Sequence, residues 1–172
     1  MGESEQTLTG ERADLVAQLT KTRRFLRVTT RGLSDEQAAQ RTTVSELCLG
    51  GLIKHVTLVE RQWARFIVEG PGAMSWDGSN AEEWGSGFTM LPGETLAGLL
   101  ERYEEVASIT DALVAELPDL DAEQPLPDAP WFEKGARWSA RGVLLHVIAE
   151  TAHHSGHADI IREALDGSKT MG

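Results

Sequence analysis

Apolar residues recur along this chain at three- and four-residue steps, and no stretch alternates apolar with polar over a strand's length. Leu15, Val16, Leu19 and Leu26 trace one helical face between Glu11 and Arg31, with Gly32 as its stop. Ser34-Asp35-Glu36-Gln37 has the form of a capping box and predicts a short helix to about Gln40. A second long helix is expected from Glu46 to Glu69, with the stripe Cys48, Leu52, Val56, Val59, Trp63 and Phe66 and a stop at Gly70-Pro71-Gly72. Gly50-Gly51 weakens that helix locally and predicts close contact with another helix, or a bend. A third runs from Glu94 to Glu116, its apolar side being Leu96, Leu99, Leu100, Tyr103, Val106, Ile109, Leu113 and Val114. Ser139 caps the fourth, which ends near Leu165 before Asp166-Gly167. The expected fold class is therefore all-α, a four-helix bundle in one domain spanning 1–172, with 1–9 a flexible N-terminus.

Two connections interrupt the helices. Residues 70–92 are rich in Gly, Ser and Asn yet carry Trp76, Trp84 and Phe88, the mark of a functional or mobile loop that could act as a lid. Pro118, Pro125, Pro127 and Pro130 exclude helix and predict a long extended crossing.

Charge narrows the functions. The chain has 27 acidic and 16 basic residues, a net charge of -11. A nucleic-acid partner is disfavoured, because phosphate contact needs a basic face, and so is an anionic membrane surface. Cys48 is the single cysteine, so neither an intrachain disulfide framework nor a cysteine zinc ribbon can form. No apolar run reaches bilayer length and the first nine residues lack a signal-peptide core, so the expected location is cytoplasmic.

The fourth helix holds the anomaly. Along its stripe Val143, Val147, Glu150, His154, Ile161, two polar residues one turn apart occupy apolar positions. A carboxylate buried there is costly unless it is paired or ligated. Ligands at i and i+4 point the same way and can grip one ion. His55 sits on the inward stripe of the second long helix between Leu52 and Val59. Two histidines and one carboxylate match a catalytic divalent-metal site with an open position. A buried Glu–His ion pair without metal accounts for the same spacing, and on spacing alone the two readings stand about level.

Nearly the whole chain resembles the DinB-like (YfiT-like) metalloenzyme superfamily, closest to its mycothiol-dependent S-transferase and maleylpyruvate isomerase branch. The resemblance lies in Leu33-Ser34-Asp35-Glu36-Gln37, in Ser45 to His55, in Met90-Leu91-Pro92-Gly93-Glu94-Thr95 and in the histidine-rich last helix. It implies an up-down-down-up bundle and the metal ligands His55, Glu150 and His154, with Glu150 standing where most DinB-like proteins have a histidine. By residue type this ligand set suits zinc first, with nickel, iron or manganese as alternatives. Mycothiol would be the thiol co-substrate, an electrophilic small molecule its acceptor, and detoxification the service.

Other residues have more modest expectations. His157, three residues past His154, is the candidate catalytic acid/base, though a second-shell donor or fourth ligand fits too. His153 projects about 100° from His154 and faces outward or toward a partner chain in a homodimer. His146 caps a polar network or meets solvent. Cys48 lies two turns before His55 and reads as an inert buried thiol. Arg61, Arg65 and Arg162 could dock an anionic substrate but by default read as solvated or surface-paired, and Trp76, Trp84, Trp131 and Trp138 line a pocket mouth or pin loops. Two rival functions stand beside the transferase: a hydrolase or isomerase working through metal-activated water, and a non-catalytic, stress-related dimeric bundle with a structural metal.

Overall fold

The computed structural model describes residues 8–74 and 84–170. Nearly all of the expected flexible N-terminus, Trp76 and the centre of the 70–92 connection lie outside the described residues. In chain order the elements are α1 (Gly10–Val28), α2 (Asp35–Ala39), α3 (Leu49–Glu69), a 3-10 turn (Gly70–Met74), α4 (Leu96–Glu116), β1 (Glu123–Pro125), β2 (Arg137–Ser139) and α5 (Ala140–Asp166). The protein is all-α in class, as its apolar spacing predicts.

Helix ends follow local chemistry. Ser34 and Gln37 form the expected capping box, each side chain bonding the other's backbone N–H. Ser139 accepts from the N–H of Gly142 at 3.1 Å and starts α5, and Gly167, in the left-handed region at φ 79°, ends it. Two starts differ from expectation. Helix α3 opens at Leu49 rather than Glu46, because Cys48 is its N-cap and its sulfur accepts from Gly51 N–H at 3.3 Å. Helix α4 opens at Leu96 rather than Glu94, with Thr95 capping. The proline-rich crossing is non-helical as expected but does not run extended: it folds back on itself, Gln124 opposite Trp138 in a short antiparallel ladder, with turns closed by Phe132 N–H to Ala129 and Ala136 N–H to Glu133. Strands of three residues are too short for an alternating pattern to register.

Helix α1 packs on α5 and α4, and α3 packs on both α4 and α5. The buried apolar residues fall into two clusters. One holds Leu15, Leu19, Trp63, Phe66, Val114, Val143 and Val147. The other holds Leu26, Leu52, Val56, Leu99, Tyr103, Ala158 and Ile161. Between them, at mid-height on every long helix, lies a belt of buried polar side chains: Thr22, Arg23, His55, Glu60, Thr110, Thr151 and His154. Ile109, expected on the inner side of α4, is 65% exposed.

Arg23 and Glu60 account for much of that belt. Glu60 is fully buried and receives two hydrogen bonds from Arg23, at 2.5 and 3.2 Å, while Arg23 also reaches Asp111 at 2.8 Å. One guanidinium thus ties α1 to α3 and α4. Neither residue figured among the expected functional positions. The signal was present, since each is a charged residue on an apolar stripe, Arg23 between Leu19 and Leu26 and Glu60 between Val56 and Trp63.

Candidate metal centre

His55 from α3 and Glu150 and His154 from α5 converge in the polar belt. One donor atom from each lies within 4.8 Å of the others. The two imidazole centroids are 4.7 Å apart and nearly perpendicular. Both histidines are buried, whereas Glu150 is only half-buried, so its carboxylate reaches the edge of the core rather than its interior as expected. That placement weakens the desolvation premise for Glu150. It leaves the convergence intact.

The electrostatics suit a cation. Burial, with His154 adding to it, pushes the His55 imidazole down to about 4. Burial also lowers His154, against the pull of Glu150, and the neighbouring His157 and His153 lower it further. Both rings are therefore neutral at pH 7 and keep a lone pair to offer, the form in which histidine ligates metals. Nδ1 of His55 is buried without a hydrogen-bond partner. A divalent cation would give this orphaned buried nitrogen, beside a second imidazole and a carboxylate, the partner it needs. The donor set fits.

His157 is not one of the converging three. Its Nδ1 lies 3.4 Å from Nδ1 of His154, within hydrogen-bond reach, with the donor set by the tautomers of the two rings. His153 is exposed, as expected, yet its ring packs 5.3 Å from His154 and 4.5 Å from His157. His146 is half-buried and meets solvent on one side, as expected. It packs among aromatics, 4.9 Å from Trp63 and 5.1 Å from Trp138.

Residues 84–90 lie directly over the start of α3. Phe88 stacks on His55, ring centroids 3.8 Å apart and planes within 19°. Trp84 meets the same imidazole edge-on at 6.3 Å. Gly51 permits this approach, since a Cβ there would sit 1.9 Å from the Phe88 carbonyl oxygen. The expected close contact at Gly50-Gly51 is real: Gly51 meets the Phe88 segment, while a Cβ on Gly50 would meet Met90 and, in helix α2, the Ala38 carbonyl oxygen at 3.4 Å. Lys54 pins the same segment through Ser86, the Thr89 carbonyl and Glu94.

The remaining expectations are structural. Cys48 is buried at the α3 N-cap. Arg65 pairs with Glu69 on the surface. Arg162 binds Asp166 and the carbonyls of Thr29 and Arg31, closing the end of α1. Trp138 pins the hairpin by stacking on Trp63 at 5.0 Å, while Trp131 is 63% exposed.

Fold and site together define a class: an all-helical protein whose helices bring two imidazoles and a carboxylate to a point that could hold a divalent metal. Among the described residues, no helix is long and apolar enough to cross a membrane. The chain belongs to the mycothiol S-transferase family, whose family model, described as Mycothiol-S-transferase, matches residues 14–167. No curated protein matches it.

Proposed function

We propose that this protein is a divalent-metal-dependent transferase that joins mycothiol to an electrophilic small molecule, on a four-helix bundle of up-down-down-up order. The convergence of His55, Glu150 and His154 within 4.8 Å, in a chain of this family, carries the reading. The bundle order is supported by the two core clusters. Leu15 and Leu19 share theirs with the last part of α3 and the first part of α5, and Leu26 shares the other with the first part of α3 and the last part of α5. Helices α1 and α5 then run one way, α3 and α4 the other.

His55, Glu150 and His154 would hold the metal, zinc first by ligand type and nickel, iron or manganese by the same donors. A bound divalent ion would supply a Lewis-acid centre that lowers the pKa of a coordinated thiol to make thiolate available near neutrality. Glu150 offsets part of the ion's charge, and the two neutral imidazoles add none. His157 takes the thiol proton, its link to His154 through Nδ1 leaving Nε2 for the exchange. The thiol sulfur bonds to the electrophilic carbon, and the leaving group departs with the electron pair of the broken bond. Three protein donors leave room for the thiol, which favours turnover over a purely structural metal.

The test is conjugation of chlorodinitrobenzene by protein loaded with each metal in turn, with and without mycothiol. Conjugation that needs both metal and thiol, and is lost in His154→Ala and Glu150→Ala, is the expected result. Metal-dependent turnover without thiol would move the reading to a hydrolase, and bound metal without any turnover to a structural role.

A further inference from the structure

A ligating histidine ordinarily gives its second ring nitrogen to a carboxylate, carbonyl or water, which fixes the tautomer and the ring's orientation. His154 has such a partner in His157. His55 has none: with its buried Nδ1 left for the metal, no described residue hydrogen-bonds the other ring nitrogen. A face holds this ring instead. Phe88 lies parallel to it at 3.8 Å and also stands 5.6 Å from His154.

Phe88 is 37% exposed, so its own burial does not explain its place. The backbone delivers it. The Phe88 carbonyl fills the space where Gly51 lacks a side chain, and Met90 Sδ lies only 2.6 Å from where a Cβ on Gly50 would be. Glu94 anchors the far end by accepting from Lys54 and from the Leu91 N–H. Two adjacent glycines in the first turn of a helix lower its propensity. Here they bring one aromatic ring onto one imidazole.

We propose that Phe88 is a positioning residue for the metal centre, its ring replacing the absent hydrogen bond in orienting His55 toward Glu150 and His154. The proposal rests on the metal reading above. Titration of the metal-free protein with cobalt(II), followed by visible absorption, tests both without recourse to activity. Phe88→Leu keeps apolar bulk but loses the flat face, and is expected to weaken cobalt binding about tenfold and alter the visible band. Phe88→Tyr keeps the face and should bind as the parent does. Gly51→Ala, which pushes the segment away with the ring intact, should weaken binding in the same direction. Circular dichroism of the metal-free variants separates misorientation from lost fold. Equal affinity and spectrum in Phe88→Leu and the parent would overturn the role, as would a Phe88→Tyr protein as weak as Phe88→Leu. If the parent and His55→Ala titrate alike, the metal reading itself fails, and the role of Phe88 falls with it.

Discussion

Acid should unfold the metal-free protein through His55. The imidazole is 8% exposed, and its pKa falls from an ordinary 6.5 to about 4 in the folded chain. Between those values the unfolded state binds a proton that the folded state excludes. The stability linked to His55 is therefore complete above pH 6.5 and is lost as pH falls to about 4. At about 1.4 kcal/mol per pKa unit, the gap is worth about 3 kcal/mol. His154, also lowered by burial, acts in the same direction. The assay is urea unfolding in chelator at intervals from pH 7 to pH 4, comparing the parent with His55→Phe, which keeps a ring against Phe88 but cannot titrate. The parent should lose about 3 kcal/mol more than the variant across that window. Parallel losses in the two proteins would refute the reasoning.

Three further outcomes can be checked. Arg23→Met leaves the Glu60 carboxylate buried and unpaired, and should cost about 3–5 kcal/mol in urea unfolding, most of it recovered when Glu60→Leu is added; a double variant no more stable than the single would count against this. Glu150→Gln should lower metal content measured by elemental analysis, yet shift the stability of the metal-free protein by only about 0.5 kcal/mol, because the side chain is half-buried and makes no hydrogen bond among the described residues. Zinc at about a hundred times its dissociation constant should stabilise the parent by about 2.7 kcal/mol and leave His154→Ala unmoved, as read by thermal unfolding.

Much of this was legible in the residues alone. The 3.6-residue recurrence marks the four long helices, because a helix that buries one face must repeat its apolar residues at that period. Ser34, Ser139 and Gly167 declare helix ends because caps are satisfied by bonds to near neighbours. Glu150 and His154 stand out because polar groups on an apolar stripe demand an explanation, and His55 raises the same question on α3. The pairing of β1 with β2 was not legible, since three-residue strands around prolines carry no period.

Local spacing determined the helices and most of their inward faces, and it marked His55, Glu150 and His154 as polar residues on apolar stripes, all of which depends on neighbours within a few positions in the chain. The tertiary structure decided what meets across elements. It matched Arg23 to Glu60, set Glu150 at the edge of the core and brought Phe88 through the gap at Gly51 to lie on His55. Those contacts join residues tens of positions apart, and their geometry follows from how whole helices and loops pack, which no local period encodes.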